Sequence, residues 1–389
     1  MAETSRRERL ERLLADMVAI ETENPPGNEG ELARFVVDWF AERGIDASLV
    51  FEPDADRPQA AARVGDGDPT VVLNGHLDVV PVDDPDAWTH DPYDPTVEDG
   101  RMYGRGAVDM KAGLAIAMLV AADLQDDLDS GALDGSVVVH AAIGEETGVP
   151  GTETLLEQGY DGDYGVVLEP TGMRTATSAK GLGWYEVIVG GEASHASRPD
   201  QGSNAVRNAE PVLDAVAAYD AELRERSDDL VGSAYATVTD FEAGVGSNRG
   251  ILPETARFTL DRRVLPDESI ETVDREVDDM LAAVQREHSV DVEWERDTTY
   301  ESAAVPVDSP LAETFRAHSA DIAGVAPEPF GIKAATDVRN FVNDAGMEAV
   351  TWGPGSLAQA HTVDEFVELD AVETGLAVLD GATRELLER

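Results

Sequence analysis

The chain has 389 residues, 42% of them apolar, enough to bury a substantial core and more than one ordinary domain holds. Its 79 acidic side chains against 29 basic ones leave a formal charge of −50, a field that repels nucleic acid and anionic membrane. Cysteine is absent, which excludes disulfides and thiolate metal sites and leaves His, Asp and Glu as the only strong ligands. So large a charge pushes the compact state apart in dilute buffer, and we read it as adaptation to a salt-rich, halophile-like cytoplasm. The opening "MAETSRRERLERLLADM" lacks the apolar segment of a secretory signal, and no run reaches the ~18 apolar residues of a membrane span, so a cytoplasmic location is expected.

Leu10, Leu13, Leu14, Met17 and Val18 recur at helical spacing, as do Leu32, Phe35, Val36, Trp39 and Phe40 ahead of Gly44, predicting two amphipathic helices. A short apolar strand follows at Val71–Leu73, then a helix over Met110–Leu124 and a strand over Val137–Ile143. Further on come a helical stretch at Thr152–Glu157, a strand at Val166–Leu168 and, late in the chain, one at Ala349–Trp352. The middle reads differently: strand 183–190, helix 204–226, strands 235–242 and 255–264, helix 269–287 and strand 290–296. That βαββαβ order is ferredoxin-like. The sequence therefore predicts an α/β domain with a mixed sheet flanked by helices, from 1–177 and 295–389, interrupted by an inserted α+β domain at 178–294.

In open α/β sheets ligands gather beyond the carboxyl ends of the strands. After Val71–Leu73 comes Asn74-Gly75-His76-Leu77-Asp78; after Val137–Ile143 comes Gly144-Glu145-Glu146; after Val166–Leu168 comes Glu169. Beyond Ala349–Trp352 lies His361, and the glycine-rich "GRGAVDMKAG" carries Asp109 into a helix. One acid in so acidic a chain is ordinarily a solvated loop charge. Several acids and two imidazoles at strand ends, without cysteine, instead fit one or two divalent ions of the zinc, cobalt or manganese kind. Of the seven histidines, His140 reads as core, His318 as structural, His288 as a helix end and His90 as an exposed loop residue. His76, His195 and His361 remain as functional candidates. The three lysines, Lys111, Lys180 and Lys333, all fall in or beside these segments.

Taken in order, "NGHLDVVP", "GRGAVDMKAG", "GEETG", "LEPT" and "AHTVDE" resemble the motifs of the metallohydrolase family that contains acetylornithine deacetylase, succinyl-diaminopimelate desuccinylase, aminoacylase and glutamate carboxypeptidase. The likeness spans nearly the whole chain, including an inserted dimerisation domain. It implies two zinc ions, one held by His76, Asp109 and Glu169 and the other by Asp109, Glu146 and His361, with Asp109 bridging. It also implies a cis peptide after Asp109, an Asp78 that orients His76, and Glu145 as general base. "GEASHASRPDQGSNAV" is similar to the family's loop whose histidine reaches the neighbouring subunit's site, which would make His195 an oxyanion donor in a homodimer and Asn204 a substrate contact. Arg263 in "FTLDRR", or else Arg262, and Arg339 in "ATDVR" would anchor a substrate carboxylate.

The implied activity is removal of an acyl group from an N-acyl amino acid, such as acetylornithine or succinyl-diaminopimelate. A dipeptidase or carboxypeptidase built on the same site is the alternative. A metal-binding protein without catalysis is disfavoured, because the base and all five ligand positions occur together.

Overall fold

A computed structural model describes residues 5–244, 246 and 248–388. The chain divides into two units, Met1–Thr177 with Ala304–Ile332 and Thr336–Arg389, and Ser178–Ala303 with Lys333–Ala335.

The first unit begins with the helix Arg6–Val18, started by a capping box in which Ser5 accepts from the Glu8 main chain and Glu8 accepts from that of Ser5. It buries Leu10, Leu13, Leu14, Met17 and Val18, the face expected from their spacing. The helix Gly30–Ala41 buries Leu32, Ala33, Val36 and Phe40, with Phe35 and Trp39 half-buried beside them. The sheet runs in the order Asp46–Val50, Gln59–Gly65, Ser136–Ala142, Thr70–His76, Tyr164–Val167, Glu348–Thr351, Ala176–Ala179. Its four central strands, Ser136–Ala142 to Glu348–Thr351, are mutually parallel. Every residue of Thr70–His76 and Ser136–Ala142 is buried, which is why these strands read as continuous apolar runs without alternation. The helix Ala112–Asp129 links these two strands and is apolar all round, with every residue from Ala112 to Ala121 buried. Parallel strands share one carboxyl edge, so His76, the turn after Ala142, Glu169 and the loop after Thr351 are delivered to the same side.

The second unit is a four-stranded antiparallel sheet in the order Tyr235–Ala243, Thr255–Val264, Gly181–Gly190, Val292–Tyr300. Helices Ala205–Leu223 and Ile270–His288 place Val212, Val216, Val273, Val277 and Leu281 in one core with Val187, Val189, Phe258 and Leu260. The strand order and two crossing helices make it ferredoxin-like. The boundary expected at 294/295 falls inside the strand Val292–Tyr300, and the unit closes at Ala303. The physical reason is the ladder: residues through Tyr300 pair with Gly181–Gly190, and polar residues such as Glu295, Arg296 and Thr298 leave no hydrophobic signal of it.

Among the described residues, no helix is long and apolar enough to cross a membrane.

Candidate metal centre

His76 is the last residue of its strand and is 2% exposed. Its Nδ1 lies 2.9 Å from the Asp78 carbonyl, which can only accept, so Nδ1 keeps its proton and, in the neutral form that a metal requires, Nε2 would present the lone pair. Nε2 stands 3.4 Å from Asp109 Oδ1 and 3.6 Å from Glu169 Oε1. On the other side of Asp109, His361 Nε2 stands 3.4 Å from Oδ2 and 3.0 Å from Glu146 Oε1. The two oxygens of Asp109 thus face two different groups of donors. The peptide Asp109–Met110 is cis, as the family resemblance implied.

These spacings test whether a metal fits. Bonds of about 2.0–2.2 Å at tetrahedral angles put neighbouring donors roughly 3.3–3.6 Å apart, longer than a good hydrogen bond. Both His76 distances and the His361–Asp109 distance fall in that interval, whereas His361–Glu146 has hydrogen-bond length. Asp109 Oδ1 and Glu169 Oε1 are buried without a hydrogen-bond partner, a state that costs more than a buried polar atom normally tolerates. His76, Asp109 and Glu146 place donor atoms within 4.8 Å of one another, as do His76, Glu145 and Glu169. The donor set is oxygen and imidazole nitrogen only, suited to a borderline divalent ion.

The electrostatics point the same way. Burial pushes Glu169 well above the usual carboxylate range, and Asp109 pushes it further. Glu145 is likewise raised by burial, with His76 opposing and Asp337 and Glu146 adding. Burial would lower His76, but Asp109, Glu169, Asp78 and Glu145 outweigh it and raise the imidazole. Bonding to Asp109 and Glu146 lifts His361 to about 10, while Asp109 is held low by the two imidazoles against its own burial. Four carboxylates crowd two imidazoles, and the site binds protons to relieve the excess negative charge. Divalent cations would take the place of those protons.

Asp78 orients His76 as expected, but through its main chain, and its side chain has another task. Its carbonyl orients His76, while its carboxylate Oδ1 is 3.6 Å from His76 Nδ1, too far for a hydrogen bond. The fully buried carboxylate instead accepts from Gly144 N at 2.9 Å, Glu146 N at 3.1 Å and Asn24 Nδ2 at 2.9 Å. It fastens the short turn Glu145–Thr147, which Gly144 enters at φ 80°, a conformation ordinary side chains resist. The turn splits the adjacent glutamates: the Glu146 side chain faces His361, and Glu145 lies near His76 and Glu169.

Arg339 pairs with Asp337 at 3.2 Å, and Thr152 donates to Asp337 at 2.6 Å. Both Asp337 and Arg339 act on the charge of Glu145. Lys111 is fully buried, donates to the Ile20 carbonyl at 2.8 Å and is pushed down to about 7 by burial. It ties the segment after the first helix to the Asp109 loop. Of the histidines set aside, His140 is buried with Nε2 2.9 Å from the Tyr160 carbonyl, and His318 pairs with Glu385 at 3.0 Å.

Four sequence candidates, one of them an alternative, belong to the second unit. His195 is exposed, and its Nδ1 accepts from Ser197 N at 3.1 Å, so the neutral ring carries its proton on Nε2. Asn204 caps the helix Ala205–Leu223 by accepting from Val206 N at 3.0 Å, a local structural task that Asn favours for its own reasons. Arg262 is fully buried against Glu268 and the Tyr219 hydroxyl, at 2.7 and 3.1 Å, which removes it as the alternative to Arg263. Arg263 forms a two-point bond with Asp261 at 2.8 and 3.0 Å, leaving part of its donor fork for another acceptor.

Sequence reasoning missed Asn24, Arg105 and Glu365. Glu365 closes a quoted motif, and Asn24 precedes the Pro25-Pro26-Gly27 turn, but neither position carries a signal of what it bonds.

Comparison with known proteins shows the family to which the chain belongs. A Staphylococcus epidermidis protein named a probable succinyl-diaminopimelate desuccinylase is 28% identical, over 97% of this chain and 98% of its own. An acetylornithine deacetylase of Shigella sonnei is 27% identical over 88% and 87%. The solved structure of an M20 family metallo-carboxypeptidase from Sulfolobus solfataricus superposes with a TM-score of 0.80 at 19% identity, covering 98% of this chain and 99% of that one. Residues 72–385 match the profile of one family, and the chain belongs to it: peptidase family M20/M25/M40.

Proposed function

We propose that this hydrolase removes the acyl group of an N-acyl amino acid, of the acetylornithine or succinyl-diaminopimelate kind, using two divalent ions, zinc in the first instance and cobalt or manganese as substitutes. The observation that carries the reading is Asp109, whose two oxygens are shared between His76 with Glu169 and His361 with Glu146. In this reading His76, Asp109 and Glu169 would hold one ion, and Asp109, Glu146 and His361 would hold the other.

Bound ions of this kind polarise an amide carbonyl and bring the pKa of a water near neutrality. Glu145 takes the proton of the attacking water and returns it to the departing amine. Asp78 keeps Glu145 and Glu146 at their separate stations through the main chain of the turn. His195, with its proton on Nε2, stabilises the tetrahedral oxyanion from the neighbouring subunit of a homodimer. Arg263 and Arg339 receive the substrate carboxylate, and Asn204 is a further substrate contact in addition to its capping role.

The names of the relatives support the deacylase reading. The test is metal-dependent turnover on a panel of N-acetyl and N-succinyl amino acids beside dipeptides and C-terminal peptide substrates. Faster hydrolysis of the peptides would replace the deacylase reading with a peptidase one. No turnover on either set with zinc, cobalt or manganese would leave a binding protein.

A further inference from the structure

Beyond the ligands, one buried ion pair touches both loops that meet at the second ion position. Glu365 is 1% exposed and Arg105 4% exposed, with Arg105 Nη1 2.7 Å from Glu365 Oε2. The other carboxylate oxygen, Oε1, accepts from Val108 N at 3.0 Å and Asp109 N at 3.2 Å. Arg105 Nη1 also reaches the Thr362 carbonyl at 3.4 Å, one residue past His361. We propose that Arg105 and Glu365 are positioning residues: they lock the main chain of Asp109 to the His361 loop and thereby set the second ion position. This rests on the dinuclear reading above.

Three observations favour this over a purely structural ion pair. Glu365 gives one carboxylate oxygen to the main-chain N–H groups of Val108 and Asp109, so its placement is transmitted to the shared ligand without an intermediate side chain. The His361 loop is also held from outside itself: His361 and Asp364 both adopt left-handed φ values, 59° and 55°, which His and Asp reach more readily than most residues and which their surroundings fix here. Those surroundings are the Arg105 contact, Gly104 N on the Glu365 carbonyl at 3.0 Å and Thr89 N on Asp364 Oδ1 at 2.6 Å.

The third observation is a contrast in exposure. The His361 side chain is 51% exposed, whereas His76 and Glu169 are 2% and 5% exposed at the ends of buried strands. The first ion position is therefore pinned by the sheet, and the second depends on a loop that needs a clamp.

The experiment uses the full chain stripped of metal and titrated with Zn²⁺ alone, with heat or chelator competition as the readout. Wild type should show two binding steps, and His361→Ala identifies the one that uses the loop. Glu365→Gln keeps the shape but offers one acceptor oxygen and an NH2 group in place of a carboxylate meeting three donors. It should weaken the His361-dependent step by about 10- to 100-fold, the usual cost of losing a partner behind a ligand, and the other step by clearly less. Equal weakening of both steps, or an unchanged isotherm, overturns the proposal. Should Glu365→Gln fail to melt cooperatively, Arg105→Lys decides: a selective loss of the same step supports the role, and a wild-type isotherm refutes it. A single step in the wild type would sink the dinuclear reading, and this inference with it.

Discussion

Gly113 is the sharpest single test of how the metal centre is built. A Cβ at this position would sit 2.4 Å from the Leu168 carbonyl oxygen and 2.9 Å from Leu168 Cβ, directly ahead of Glu169. A Cβ on Gly353 would meet the same segment, 2.6 Å from the Leu168 and Glu169 carbonyl oxygens. Helix propensity by itself predicts that Gly113→Ala, inside Ala112–Asp129, stabilises by up to about 1 kcal/mol. Ordinary contact begins near 3.4 Å, so the helix or the Leu168 main chain must yield by roughly 1 Å, and neither is a flexible side-chain end. Overpacking of that kind costs about 1–3 kcal/mol and should win. With the propensity gain of about 1 kcal/mol subtracted, the net loss reaches about 2 kcal/mol, and the melting temperature should fall by up to roughly 4–8 °C in a unit of this size. Zn²⁺ affinity should fall as well, because the displaced segment carries Glu169. Calorimetric melting of the metal-free chain and Zn²⁺ titration read the two effects separately. A stabilised Gly113→Ala with unchanged metal affinity would refute the close-packing argument.

The other predictions concern charge. Glu145→Gln should lower kcat by at least 10²–10⁴-fold while bound metal, measured by elemental analysis, stays at the wild-type level. Asp78→Asn turns an acceptor into a donor facing main-chain N–H groups of the Gly144–Glu146 turn; it should destabilise by about 2–3 kcal/mol and weaken metal binding roughly 10- to 100-fold, read by denaturant melts and Zn²⁺ titration. His361 is raised from 6.5 to about 10, so the metal-free fold binds more protons than the unfolded chain between those values. Its stability contribution is complete below pH 6.5 and lost as pH rises toward 10, and the raised Glu145 and Glu169 act in the same direction. Melting the metal-free protein should show this decline with pH, flattened in His361→Gln, while Zn²⁺ affinity rises over the same range as protons cease to compete. With a formal charge of −50, the melting temperature should climb steeply between low and molar KCl as the Debye length shrinks to about 3 Å; a flat response would remove the case for a halophilic surface.

What the sequence determined by itself was the set of strand ends. Continuous apolar runs such as Val71–Leu73 and Val137–Ile143 mark strands covered on both faces, and parallel strands must end on one edge, so His76, Glu145, Glu146 and Glu169 are readable as neighbours from the sequence. Alternation and helical spacing likewise revealed the ferredoxin-like order of the second unit. Tertiary structure decided the tasks that depend on which main-chain groups come within reach. The Asp78 carboxylate serves the turn at Gly144 and not the imidazole two residues away. Arg262 is spent on Glu268 and Tyr219, while its neighbour Arg263, on the opposite face of the same strand, keeps part of its fork. Glu365 meets the N–H groups of Val108 and Asp109 across more than 250 positions of sequence. Periodicity records which side of an element is buried; it carries no record of the partner a buried carboxylate finds, because that partner is supplied by chain closure between distant segments.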